Sequence, residues 1–213
     1  MTARSATSRA RSAIPVLWIA GNVTAGAVSG LFFANYSAPI TAPADGSAVT
    51  AGLRLAFALF GPWAATGLVC WAAHWLVLGQ RYRLPPDWLL IGPFAGLGYM
   101  AAQFLISLTT GWLLGSVAAA LVAAVASGWI IGALQWMLME EPDVSANRWV
   151  AASAIGAVAA ALIWYPGFPW SLSLLSTTAA GAIAGGLYSL PGALVLVADH
   201  APQRRVVAAP VAR

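Results

Sequence analysis

Charged residues are scarce in this sequence and lysine is absent, so every basic side chain is an arginine. Only 8% of the residues are Asp, Glu, Lys or Arg, whereas 61% are hydrophobic. A water-soluble domain carries charge on roughly a quarter or more of its surface positions, which excludes an ordinary soluble protein. The arginines do not form a dense basic patch, so no nucleic-acid partner is predicted. The composition is that of an integral membrane protein.

Cysteine, histidine and buried charge are also in short supply. The single Cys70 excludes an internal disulfide, and His74 is the only histidine within an apolar segment. No acid or arginine lies deep within an apolar run, which counts against ion-coupled pumping because such relays use ionisable groups inside the bilayer. No set of nucleophile, base and oxyanion donors is visible, so an enzyme is the least favoured class.

Long uncharged runs predict six membrane-spanning helices. The runs at 88–139 and 149–198 each hold about 50 residues, which as one helix would reach about 75 Å, against a hydrocarbon core of about 30 Å. Each run therefore has to turn back and cross twice. The segments 14–34 and 53–78 are each long enough to cross once. The predicted fold class is an all-α membrane protein with six transmembrane helices.

The arginines predict the orientation of this bundle. With six crossings, both tails and the connections after the second and fourth spans lie on one side, and they carry every arginine except Arg54. The positive-inside rule then places both termini in the cytoplasm, in a multi-pass protein of the cytoplasmic (inner) membrane. The transmembrane domain is predicted at 13–199, between disordered cytoplasmic tails at 1–12 and 200–213.

The ends of the second, fourth and sixth spans share one pattern. The stretches "GLVCWAAHW", "GWIIGALQW" and "GAIAGGLYS" begin at Gly67, Gly128 and Gly181, and a polar residue follows seven positions later in each. Fourteen residues further on in the first two copies, a tryptophan opens the next span. This regularity predicts three tandem two-helix hairpins, at 13–80, 88–139 and 149–199. Chance similarity among Gly- and Ala-rich helices is the alternative.

Helical geometry gives this repeat a physical meaning. Residues at i, i+4 and i+7 share one face, and glycines there let two helix backbones approach closely. The helix-packing residues are predicted to be Gly67, Gly128, Gly132, Gly181 and Gly185. The polar residues that end each stripe are candidates for ligand binding, and they either converge on the axis of the bundle or repeat at three separate helix contacts. These candidates are His74, Gln135 and Tyr188, with Gln103 as a further amide inside a span.

Other polar and aromatic residues have simpler interpretations. Asn22 and Gln103 could line a polar path or satisfy a backbone carbonyl. Trp18, Trp88 and Trp149 are predicted to form an aromatic belt at the inner membrane boundary. No metal or cofactor is predicted, although His74 as an axial ligand of a haem or chlorophyll-type pigment is a minor alternative.

The "GxxxGxxQW" helix, followed by a short polar loop and a tryptophan-led span, resembles uncharacterised multi-pass membrane proteins of bacteria that contain repeats of this hairpin. The resemblance covers the second to sixth spans and carries no assigned activity. This chain departs from the pattern by having His74 or Tyr188 at the glutamine position in two copies. In the third copy, Ser189 replaces the tryptophan.

Two functions from different classes are compatible with this pattern. In the first, a pocket between the hairpins binds or passively transports a small molecule or lipid, with the polar residues of the repeat lining it. In the second, the protein is a structural or accessory subunit of a membrane complex, which could contain pigment. The expected partners are the lipid bilayer and, through the glycine stripes and tryptophans, other membrane subunits or further copies of the chain.

Overall fold

The computed structural model describes residues 3–36, 48–140, 143–163 and 174–198. Side chains at 3–12, 33–36, 48–51, 53–59, 103, 107, 110–116 and 174–175 lie outside this description. All five elements in the described part are α-helices, and they are α1 Ala3–Tyr36, α2 Ala48–Leu78, α3 Trp88–Leu138, α4 Ala146–Ile163 and α5 Leu174–Ala198.

Five helical segments among the described residues are long and apolar enough to cross a membrane. Two of them lie within α3, and the others belong to α1, α4 and α5. These segments are Ala13–Phe32, Trp88–Ile106, Val117–Leu138, Ala146–Ile163 and Ser176–Ala198. The chain is therefore an all-α protein with the helices of a multi-pass membrane protein.

The two ends of α3 lie close together, although the helix is continuous from Trp88 to Leu138. The amide of Glu140, just after α3, donates to the carbonyl of Arg83, just before it, at 3.2 Å. A straight helix of this length would hold its ends about 75 Å apart. The chain direction therefore reverses between the two segments. Thr109 lies there, and its hydroxyl bonds back to the carbonyls of Leu105 and Ile106, a contact that bends helices.

The helices form a closed ring around a common axis. Each of α2, α3 and α4 packs against the element that follows it, and α1 packs against both α2 and α5. No other pair of these elements is in contact in the described part of the chain. Side chains that point away from the two neighbours of a helix, towards the interior of the ring, can therefore meet those of helices across it.

The apolar core lies at the end of the bundle where α2 and α3 end. Trp71, Trp88 and Trp149 are among its largest fully buried side chains, and Trp18 is only 2% exposed. The prediction that Trp18, Trp88 and Trp149 form a belt at the membrane boundary is therefore wrong. Tryptophan spacing alone does not distinguish a lipid-facing ring from one that fills the interior of the bundle.

The N-terminal segment is helical almost from its first residue. The first helix begins at Ala3, so most of the predicted tail at 1–12 is continuous with the first span. The alanines and arginines of this segment favour helix, which explains why α1 extends beyond its apolar segment on the N-terminal side. The second predicted tail, at 200–213, and residues 164–173, where the run at 149–198 is expected to turn back, lie outside the described residues.

Candidate functional site

Three polar side chains predicted from the repeat lie together inside the ring. The amide nitrogen of Gln135 is 2.8 Å from Nδ1 of His74, and the rings of His74 and Tyr188 stack with centroids 6.3 Å apart. The side chains of Gln135 and Tyr188 also interact. His74 and Gln135 are almost completely buried, and Tyr188 is partly buried. The three side chains therefore converge inside the bundle and do not lie at three separate helix contacts.

His74 lies in a chain of hydrogen bonds with a consistent direction. Its Nε2 is 2.9 Å from Oδ1 of Asn22, an atom that only accepts, so Nε2 carries the proton. Its Nδ1 faces the amide nitrogen of Gln135, which only donates, so Nδ1 accepts. Asn22 in turn donates to the carbonyl of Trp18 at 2.9 Å. This pattern fits the neutral imidazole with its proton on Nε2.

Gln135 connects this chain to the fourth helix. Nε1 of Trp149 donates to Oε1 of Gln135 at 3.3 Å, so both ends of the amide are engaged. The side chain of Tyr188 interacts with that of Ser153, which also lies on α4. We call the side chains of Asn22, His74, Gln135, Trp149, Ser153 and Tyr188 the axial cluster. Each helix of the ring contributes at least one member.

Aromatic rings enclose His74. The indole of Trp18 stacks on the imidazole with centroids 4.5 Å apart and an interplanar angle of 27°. Tyr188 lies on a second side of the imidazole, and the ring of Trp71 is 6.1 Å away. Water is displaced from such surroundings, where an unpaired polar group is costly. The hydrogen bonds within the axial cluster are therefore the means by which these buried polar groups are satisfied.

The five predicted packing glycines all lie at helix contacts, where an added Cβ would meet the neighbouring helix. A Cβ at Gly67 would clash with the backbone of Gly92 and Gly96, across the contact between α2 and α3. Gly128 and Gly132 face Ser153 on α4 in the same way. The remaining two, Gly181 and Gly185, abut the backbone of α1. Small residues thus bring together the helices that carry the axial cluster.

Polar contacts connect two loops at the same end of the bundle, and we call the side chains of Arg81, Tyr82 and Asp143 the polar clasp. The guanidinium of Arg81 forms an ion pair with Asp143, whose other carboxylate oxygen accepts a 2.7 Å hydrogen bond from the hydroxyl of Tyr82. Partial burial by itself would raise the pKa of Asp143, but the hydrogen bonds from Arg81 and Tyr82 and the charge of Arg81 outweigh it and lower the pKa below its usual value. The loop that follows α3 is therefore tied to the loop that follows α2.

Neither a metal site nor a pigment ligand is visible in the described part of the chain. No three His, Cys, Asp or Glu side chains come together there as a metal site would require. Both ring nitrogens of His74 already have hydrogen-bonding partners, so neither is free to ligate iron or magnesium in this conformation. The fourth candidate, Gln103, lies on α3, and its side chain is outside the described residues.

Three members of the axial cluster are not predicted as site residues by the sequence. Asn22 is predicted only to line a polar path or to satisfy a carbonyl, and it bonds both a carbonyl and His74. Trp149 has the pattern of a boundary residue, and no sequence motif marks Ser153. Two of these residues share a sequence signal. Asn22 and Ser153 each lie four residues after a span-opening tryptophan, Trp18 or Trp149.

Comparison of the chain with family models, with curated proteins and with solved structures found no match.

Proposed function

We propose that the chain crosses a cytoplasmic (inner) membrane six times as three tandem hairpins, at 13–80, 88–139 and 149–199, with both termini in the cytoplasm. The equivalence of the glycine contacts supports the repeat. Gly67, Gly128 and Gly181 each meet a residue eight positions after a span-opening tryptophan of a different hairpin. The residues they meet are Gly96, Ala157 and Gly26. Such agreement is expected of a pseudo-threefold axis along the membrane normal.

The proposed membrane orientation rests on the charges at the end of the bundle that holds the polar clasp. Arg81, Arg83 and Arg148 all lie at the end of the bundle that holds the clasp between the loops. In the part of the chain described from Ala13 onward, the one further arginine is Arg54, which lies near the start of α2, towards the other end. The positive-inside rule assigns the end with the polar clasp to the cytoplasm.

Within this architecture, the protein is a structural or accessory membrane component. One observation carries this proposal: the hydrogen bonds of the axial cluster run from Trp149 through Gln135, His74 and Asn22 to a backbone carbonyl. A residue that binds a ligand keeps a polar atom available for it. Here those atoms bond one another, so the polar groups lock the helices into one closed arrangement.

The outer surface fits a role that depends on lipid and protein contacts. Large apolar side chains are exposed around the ring, as the bilayer requires. Those exposed by more than three-fifths include Val16, Leu76, Leu90, Phe94, Phe104, Leu108, Met137 and Leu194. We propose that this surface contacts lipid, other membrane subunits or further copies of the chain.

The test of this proposal is the permeability of proteoliposomes. Stopped-flow light scattering would follow the swelling of vesicles in water, urea and glycerol gradients, with the wild-type protein, with Gln135→Leu and with no protein. We expect all three vesicle types to have the same rates because the axis is closed. The matched experiment extracts the protein with its native lipid, and we expect a particle that contains more protein than one 21.9 kDa chain.

Passive transport of a small neutral molecule is the second candidate. The observation in its favour is that the polar residues of three hairpins meet at one axis, as a shared path requires. Transport would need the chain of hydrogen bonds to open. Solute permeability above that of empty vesicles, and altered in Gln135→Leu, would support this candidate and contradict the closed structural role.

A further inference from the structure

A second polar region, outside the axial cluster, lies at the proposed membrane surface. It is a groove of about 720 Å³ between the end of α2, the loop that follows it and Glu140. This volume is within the range of about 300 to 1,000 Å³ typical of small-molecule sites. One wall is formed by the exposed side chains of Trp75 and Leu76, which face outward from α2, and another by Leu84 and Pro85. The groove is continuous with the lipid-facing surface.

Two opposite charges, those of Arg83 and Glu140, line this groove, and the structure shows no ion pair between them. Arg83 and Glu140 are paired through their backbones in an isolated antiparallel bridge. Residues opposite each other in such a bridge direct their side chains to the same side. Both side chains are exposed, and neither forms an ion pair with another described residue. The neighbouring Arg81 and Asp143 are already paired with each other, so they do not compete for a ligand.

We propose that this groove binds a zwitterionic phospholipid whose headgroup ends in a primary amine. The guanidinium of Arg83 binds the phosphate, for which its planar donors are suited, and the carboxylate of Glu140 accepts hydrogen bonds from the ammonium group. The glycerol and the first part of an acyl chain lie along Trp75 and Leu76. A purely anionic headgroup would bring uncompensated negative charge to Glu140. The inference rests on the proposed membrane orientation.

Native mass spectrometry of the detergent-purified protein tests this site. The probes are phosphatidylethanolamine, phosphatidylcholine and phosphatidylglycerol with identical acyl chains, each added to the delipidated full chain. We expect the wild type to retain phosphatidylethanolamine best, and Arg83→Gln to lose about tenfold in its retention, the factor for one charge-assisted hydrogen bond. We expect Glu140→Gln to shift the preference to phosphatidylglycerol, because the repelling carboxylate has gone.

The matched control is Asp87→Asn, which removes an exposed acid of the same loop that does not line the groove. Its lipid preference is expected to equal that of the wild type, and thermal unfolding of all variants should coincide because the changed side chains are exposed. A wild-type protein that retains the three lipids equally or retains none, or one that prefers phosphatidylglycerol, would overturn the proposal. An unchanged profile in Arg83→Gln would also overturn it. These outcomes leave the permeability test unaffected, so the two proposals fail separately.

Discussion

The axial cluster and the groove beside Arg83 and Glu140 lie towards the same end of the bundle. Their polar groups differ in burial and in whether they bond one another. In the cluster, buried side chains bond one another, and His74 has a partner at each ring nitrogen. In the groove, two exposed charges lie side by side without an ion pair to another described residue. The amide and imidazole groups of the cluster are therefore satisfied internally, whereas the groove keeps two charged side chains available to a ligand. Convergence of polar residues therefore does not by itself identify a binding site.

The largest expected effect comes from separating the helices that hold the cluster. Gly181→Leu would press a side chain into the backbone of α1 at Gly26 and Gly30, and should lower the free energy of unfolding by about 3 kcal/mol. The measurement is chemical or thermal unfolding in detergent, followed by tryptophan fluorescence. Gly98→Leu is the matched control, since a Cβ there meets nothing. Equal stabilities of the two variants would show that the cluster does not depend on this close approach.

The second prediction removes the centre of the cluster but keeps its ring. His74→Phe preserves stacking on Trp18 and leaves the polar atoms of Asn22 and Gln135 without their partner. We expect a loss of about 1 to 3 kcal/mol in the free energy of unfolding, the usual cost of unsatisfied buried groups. The exposed substitution Met137→Phe provides the baseline. If His74→Phe were as stable as this control, the hydrogen bonds of the cluster would not be stabilising the fold.

The sequence indicates which residues of one helix share a face, but not which residues of another helix meet them. The spacing of Gly128 and Gln135 places both residues on one helix face, and this follows from the helical period alone. The spacing does not indicate which residue of another helix meets that face, because this depends on the rotation of the other helix in the ring. Trp149 is the example: its sequence neighbourhood fits a membrane boundary, and the packing turns its indole inward to Gln135.

In α3, too, the sequence indicates only part of the observed backbone structure. Length and hydropathy predict two crossings at 88–139, and the structure holds two apolar segments whose outer ends meet. The length of the run predicts that the chain turns back between them, and helical structure continues through this reversal. The hydrogen bonds from Thr109 to two carbonyls are a local contribution that hydropathy does not represent.

A smaller effect is expected at the edge of the cluster. Trp149→Phe keeps the apolar ring and deletes the donor to Oε1 of Gln135, which should cost on the order of 1 kcal/mol in the free energy of unfolding. Trp129→Phe makes the same chemical change at an exposed position and should cost less. Comparison of the two unfolding curves isolates the hydrogen bond. Identical shifts would mean that the indole of Trp149 contributes only by packing.

The smallest effect concerns the clasp between the loops and depends on pH. Asp143→Asn should reduce the free energy of unfolding by about 1 kcal/mol or less at pH 7, because the ion pair is partly exposed. The folded state lowers the pKa of Asp143, so its stabilisation is present above the ordinary aspartate pKa of about 3.9 and is lost as the pH falls through the folded value. Unfolding curves of wild type and variant should therefore begin to converge as the pH falls below about 3.9 and should coincide once the pH lies below the lowered pKa of folded Asp143. A difference that persists there would contradict this assignment.

The most direct test of the closed axis is the tautomer of His74. Nitrogen-15 NMR of a histidine-labelled His200→Ala variant in nanodiscs observes this imidazole alone. We expect a neutral ring at pH 7, with the proton on Nε2 and with slow exchange of that proton with water, because Asn22 accepts it and Gln135 donates to Nδ1. A proton on Nδ1, a charged ring or rapid exchange with water would contradict it.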